Sequence, residues 1–194
     1  EKRDSTLTPS AEKRRVASVE SLFSPLVVMS GLVVSFAHGS NDVSNAAGPL
    51  SVIVGFATYP ATRNLDDIPR PYWTNALAAI GFVAGIMVMG GRTIRLVGCK
   101  LAKQTKIKAF ATQFGAACTI LVCSVLRQTV STSHVLVGAV VGASLADNHW
   151  GTSSEPVDFK VLLKIVIGWV VTIPIAGGIA YVCFYAVNIA SGQW

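Results

Sequence analysis

The sequence predicts an all-α, polytopic membrane protein, and three observations carry that prediction. Charged residues make up 13% of the 194-residue chain against 52% hydrophobic, with a mean hydropathy of +0.55, whereas soluble domains average about 25% charged. The charges that remain are clustered and leave uncharged runs at Ser21–Asn41, Val43–Thr62, Pro71–Gly91, Ala109–Leu126, Gln128–Ala146 and Ile165–Trp194. Runs of roughly 18 or more mostly apolar residues are transmembrane candidates. Finally, short polar clusters interrupt two of the apolar regions, which predicts broken helices and a re-entrant helical hairpin beside plain spans. A soluble core of buried helices is the weaker alternative.

Residues 1–20 are hydrophilic, with Glu1, Lys2, Arg3, Asp4 and the run Glu12-Lys13-Arg14-Arg15. They read as the end of a solvated cytoplasmic linker, with 21–194 as the transmembrane part, and as a piece of a longer protein. Leu22–Thr62 is an apolar region of about forty residues. As one helix it would extend about 60 Å, twice the hydrocarbon thickness of about 30 Å. It is therefore expected to break, and Gly39, Gly48 and Pro49 mark the place. Arg63–Pro71 is a polar loop. Tyr72 to about Val97 forms a span whose leading Tyr72 and Trp73 suit an aromatic belt. Its glycines Gly81, Gly85, Gly90 and Gly91 offer close-packing faces.

Two shorter apolar pieces follow, Ala109–Leu126 and Val135–Ala146, separated by the polar stretch Arg127–His134. The second is short for a crossing, so the pair is expected to form the hairpin, with hydroxyls at its tip. Asp147–Asp158 is a second polar loop. Lys160 to about Ile189 is a last span, bent if anywhere at Pro174.

The net charge of +6 is concentrated in Arg92, Arg95, Lys100, Lys103, Lys106 and Lys108, a stretch without acids. Beside apolar spans this fits a cytoplasmic loop facing lipid headgroups better than a nucleic-acid surface. With the linker on the same side, residues 63–71 fall outside, and the first apolar region crosses once in net. Cys99, Cys118, Cys123 and Cys183 lack CxxC spacing and read as inert thiols.

The chemistry sits in the two polar interruptions. In "FAHGSNDVSNAAGPL", Asp42 is a carboxylate at membrane depth, which costs about 3 kcal/mol on insertion scales unless it has partners or a wet cavity. Ser40, Asn41, Ser44 and Asn45 surround it in sequence. A helix broken there would present amide donors to an anion, and carbonyls beside Asp42 to a small hard cation such as sodium. In "TVSTSH", Thr129, Ser131, Thr132, Ser133 and His134 bring consecutive hydroxyls to a helix start, a surface suited to an anion. Each feature has a plainer reading: Asp42 as a capped structural carboxylate, the hydroxyls as an N-cap, His38 as a hydrogen-bonded packing residue, and Gln113 as interhelical glue. No Walker loop is present.

At these residues the chain resembles the inorganic phosphate transporter (PiT) family of sodium- or proton-coupled phosphate symporters. "FAHGSNDVSNAAGPL" is similar to its signature, and "FATQFGAACTILVCSVLRQTVSTSHVLVGAVVG" to its second block. "GFVAGIMVMGGRTIRLVGCKLAKQT" and "WVVTIPIAGGIAY" extend the likeness over roughly residues 22–188. The resemblance implies one half, the C-terminal one, of an inverted-repeat transporter. That half works with an N-terminal repeat, without enzymatic activity or cofactor, by alternating access. It implies phosphate binding by Asn41, Asp42, Asn45, Ser131, Thr132 and Ser133, and sodium or proton coupling at Asp42 and Asn45. Gln113 and His134 are candidates for coupling or gating, because Gln113 stands where many members carry a glutamate. Ser133 replaces a common threonine. The expected partners are phosphate, sodium or a proton, lipid and the other repeat, with homodimerisation open and nucleic acid excluded. The expected location is a membrane, by default the plasma membrane. A symporter of a related oxyanion such as sulfate, or a non-transporting phosphate sensor of the same fold, are the alternatives.

Overall fold

A computed structural model describes residues 9–59, 71–149 and 157–191. Parts of the expected linker (1–8) and of the two polar loops (60–70 and 150–156) lie outside the described residues. Every described element is helical: α1 (Pro9–Thr58), α2 (Tyr72–Arg95), a π-helical turn (Leu96–Leu101), α3 (Lys106–Val125), α4 (Thr132–His149) and α5 (Phe159–Ser191). Four stretches are long and apolar enough to cross a membrane: Ala17–Thr58, Tyr72–Leu101, Lys106–Val125 and Phe159–Ala190. Thr132–Asp147 is a shorter apolar helix. The chain divides into two compact units, Glu1–Pro156 and Val157–Trp194.

The expected interruption at Gly39, Gly48 and Pro49 does not appear as a gap. α1 is a continuous helix with Pro25 and Pro49 inside it. The reason is that its polar side chains are satisfied without unwinding. The hydroxyls of Ser35, Ser40 and Ser44 donate to helix carbonyls three or four residues back, at 2.7, 2.9 and 2.8 Å, the usual local solution for serine in a helix. Proline at 49 removes only one ladder donor. Pro9 lies within the same helix, so α1 runs on through residue 20.

In the first unit, α1 is the post against which the others stand. α2 is antiparallel to it. The ring of Phe82 on α2 meets His38 edge-on at 5.7 Å, and Thr74 near the start of α2 meets Ser51 further along α1 at 2.7 Å. Thr74 is fully buried and its hydroxyl donates to the Pro71 carbonyl at 2.7 Å. Its single proton being used there, Ser51 must be the donor to Thr74. The π-helical turn and its sequel bury Leu101 and Ala102 and turn the chain toward α3. Thr105 caps α3 by accepting from the Lys108 amide at 3.3 Å.

α3 runs parallel to α1. Lys106 Nζ donates to Ser24 Oγ at 2.7 Å, Phe110 packs edge-on against Phe23 at 5.8 Å, and Ser30 Oγ donates to Gln113 Oε1 at 2.7 Å. Its small buried residues, Ala116 and Ala117 beside Thr112 and Ile120, permit close helix approach. α3 ends in a Schellman arrangement, the Gln128 amide bonding Cys123 O at 2.9 Å and the Arg127 amide bonding Ser124 O at 3.1 Å. Arg127 holds the left-handed conformation (φ 57°) where glycine is usual. α4 then returns alongside α3, and Lys108 pairs with Asp147, which brings the two feet of the hairpin together. The expected hairpin is therefore there, starting and ending a few residues wider than its apolar pieces.

The second unit is α5, with Pro174 inside a helix that stays continuous. Asp158 Oδ1 caps it, accepting from the amides of Lys160 and Val161 at 2.9 and 3.2 Å.

Most large apolar side chains face outward; Leu22, Phe36, Met87 and Val88 are 71%, 72%, 81% and 77% exposed. A soluble protein would not leave so much apolar surface uncovered.

Thr74→Val should strip Ser51 of its acceptor, while the Pro71 carbonyl keeps only the Thr74 amide at 3.2 Å. Orphaning a buried polar group costs about 1–3 kcal/mol, so thermal unfolding of the purified full-length protein in detergent should shift down by several degrees, while Thr74→Ser keeps most of the stability.

Candidate functional site

The site lies where the tip of the α3–α4 hairpin meets the middle of α1. Asp42 sits close to the centre of the apolar stretch Ala17–Thr58. Its carboxylate is satisfied from three directions. Asn41 Nδ2 donates to Oδ1 at 3.1 Å, and Thr132 Oγ1 lies 3.2 and 3.1 Å from Oδ1 and Oδ2. His38 Nε2, one turn earlier on α1, lies 2.7 Å from Oδ2. Asn41 uses its second amide hydrogen on the Val130 carbonyl of the tip at 2.9 Å. The amide of Asn41 therefore links α1 to the tip while also serving its neighbour. Asn41 and Thr132 are buried, and the side chains of His38 and Asp42 are 33% and 26% exposed.

α4 presents its N-terminus to this carboxylate. Ser131 is its N-cap: the Val135 amide bonds Ser131 O at 3.1 Å, and the His134 amide reaches Ser131 Oγ at 3.4 Å. The His134 ring reinforces the cap, with Nδ1 2.5 Å from the same hydroxyl. Thr132, the first helical residue, aims its hydroxyl at Asp42. A negative charge at the N-terminal end of a helix is favoured by the helix dipole, by typically 0.3–1 kcal/mol or more when partly buried. Sequence logic placed an anion at this helix start; here the anion is the protein's own Asp42.

Of the residues expected at the site, the structure brings Asn41, Asp42 and Thr132 into one hydrogen-bonded cluster. Ser131 and His134 stand beside it, bound to each other. Asn45 and Ser133 are exposed and stand outside the cluster among the described residues. Gln113 is remote. It accepts from Ser30 and rests over Gly31, where an added methyl would meet its Oε1 at 3.5 Å. Ser30 precedes Asp42 by about 18 Å of helical rise, so Gln113 ties α3 to α1 as the plainer reading had it. His38 is hydrogen-bonded and packed, against Asp42 and Phe82; the identity of its partner is what sequence reasoning left unnamed. The signal was available, since residues four apart share a helix face. Among the described residues no group of three or more His, Cys, Asp or Glu side chains converges, so a cation here would depend on oxygen ligands.

The pattern of the Phosphate transporter family matches residues 5–180. The chain belongs to that family. Among its relatives is a candidate phosphate permease of Haemophilus influenzae, 33% identical over 181 residues that cover 93% of this chain and 42% of that protein. Another is the sodium-dependent phosphate transporter 2 of Xenopus tropicalis, 33% identical over 174 residues, covering 90% of this chain and 26% of that protein. A solved structure entitled "The sodium-dependent phosphate transporter" superposes with a TM-score of 0.70 at 33% identity, over 82% of this chain and 38% of that one. This phosphate transporter family chain thus spans about two fifths of the first of these relatives, and it is an integral, multi-pass membrane protein. Both polar interruptions fall inside the family match.

Replacing Asn41 by Leu removes the amide that holds the tip to α1 and leaves the Val130 carbonyl unpaired. A loss of about 1–3 kcal/mol should raise the population of the undocked tip about 5- to 150-fold. Thermal unfolding of the purified full-length protein in detergent should therefore shift down by several degrees in Asn41→Leu.

Proposed function

We propose that this chain is the C-terminal half of a cation-coupled inorganic phosphate symporter. Residues 1–20 would be the end of a hydrophilic cytoplasmic segment, and an N-terminal repeat would complete the substrate site. Family membership and the names of the relatives support phosphate as cargo, and two relatives are named sodium-dependent, which favours sodium over the proton as the coupling ion. The observation that carries the reading is the docking of the α4 N-terminus and its Thr132 hydroxyl on Asp42. It joins an anion-binding helix end and a membrane-depth carboxylate in one place.

The geometry suggests how the two cargoes are linked. Thr132 has one hydroxyl proton, and Asp42 holds it. Phosphate arriving at the helix end meets an engaged donor and a nearby like charge, and two anions in a low-dielectric setting repel strongly. A cation on Asp42 removes both obstacles. It neutralises the carboxylate and releases Thr132 to donate to phosphate, beside Ser131, Ser133 and the amides of the first turn of α4. Asn45, one turn beyond Asn41 on α1, supplies a further oxygen to the cation. Rocking of the two repeats about the site would expose it to each side in turn.

Radiolabelled phosphate uptake by the full-length protein tests this. Asp42→Asn should abolish cation-dependent uptake, a fall of at least about tenfold, consistent with a charge contact worth about 1.5–3 kcal/mol. Thr132→Ser should keep uptake, and Thr132→Val should raise the phosphate concentration for half-maximal uptake. An unchanged cation dependence in Asp42→Asn would remove Asp42 from coupling. A tenfold excess of sulfate should leave phosphate uptake in place.

A further inference from the structure

The Asp42 side chain is 26% exposed, yet both carboxylate oxygens already have donors. Oδ1 accepts from Asn41 Nδ2, Oδ2 lies 2.7 Å from His38 Nε2, and the one Thr132 hydroxyl proton is shared between the two oxygens. A small hard cation that engages both carboxylate oxygens competes with these donors for their lone pairs. The donors are not equally replaceable. Asn41 is buried and also holds the tip through Val130. Thr132 is buried at the start of α4. His38 makes the shortest contact, at 2.7 Å, and its side chain is a third exposed, unlike the buried Asn41 and Thr132. Beside Asp42, its other recorded contact is the edge of the Phe82 ring on α2, 5.7 Å between centroids.

We propose that His38 is an internal cap on Asp42, occupying the carboxylate oxygen that the coupling cation takes. Binding of the cation displaces the His38 ring from Oδ2, and the departure of the cation lets the ring return. His38 thereby sets the cation affinity of the site and keeps the carboxylate paired when the site is empty. Phe82 is the stop that holds the ring over Oδ2. His38 is in this sense a positioning residue, contacting neither cargo in the bound state. The inference rests on the reading of Asp42 as the coupling site and adds the element that competes with the ion.

The test measures sodium binding without transport. Thermal unfolding of the purified full-length protein is followed against sodium chloride, with choline chloride holding ionic strength constant. His38→Leu removes the cap, and the sodium concentration for half of the stabilising shift should fall roughly three- to tenfold, because a hydrogen bond to a charged group no longer has to be broken first. His38→Gln, which keeps an N–H donor at similar reach, should stay close to the wild-type value. Phe82→Ala leaves every Asp42 contact in place but loosens the ring, and should move the value in the same direction as His38→Leu by a smaller factor; it serves if the leucine variant does not fold. A half-saturation value that is unchanged or raised in both His38→Leu and Phe82→Ala overturns the cap. Wild-type protein that shows no sodium-specific shift at all overturns the cap together with the coupling role of Asp42. A normal wild-type shift with unresponsive variants removes the cap alone.

Discussion

The structure depends on one contact, the carboxylate of Asp42 against the N-terminal turn of α4. Alone at that depth the acid would be too costly to keep. The hairpin tip brings it the Thr132 hydroxyl and the positive end of a helix, and Asn41 and His38 complete its shell from α1 itself. The same contact fixes how far the hairpin penetrates, since the tip stops where its donors find their acceptor. The rest of the first unit serves this meeting. The Ser30–Gln113 and Lys106–Ser24 bonds set α3 in register with α1, and the Lys108–Asp147 pair closes the hairpin at its feet. What looks like a string of minor polar contacts is the alignment of one helix end with one acid.

That economy explains the thinness of the core. The fully buried large side chains are few, Leu101, Ile120 and Thr74 leading them. In a bilayer, helices gain little from hiding apolar groups from each other, because lipid tails are as apolar as leucine. Specificity falls to small residues and hydrogen bonds. Ala116, Ala117 and Ala37 let the backbones approach, and the bonds of Ser30, Asn41, Ser51 and Thr74 choose the register.

The helical class, the hairpin and the membrane setting were legible in the sequence because each rests on composition over long windows. The pairing of Asp42 with the hydroxyl tip was legible only as two polar clusters that ought to meet. The continuity of α1 was not legible. Glycine and proline near a polar motif signal a break when the polar groups need unwound backbone, and here Ser40 and Ser44 bond back within the helix while Asn41 and Asp42 find partners on the tip. The end of α3 was hidden for the opposite reason, since Arg127 takes the left-handed position that a glycine would have announced. Gln113, a position of interest by likeness, bonds to Ser30, about 18 Å of helical rise along α1 from the acid.

The unbroken α1 has a mechanical consequence. Its apolar stretch of 42 residues is a rod of about 63 Å. A tilt of about 10° around its centre would carry its two ends some 5 Å in opposite directions while scarcely moving the middle, where Asp42 lies. In the proposed alternating access such a helix would be a lever pivoting near the acid: widening the approach from one face of the bilayer would narrow it on the other, with the fulcrum still.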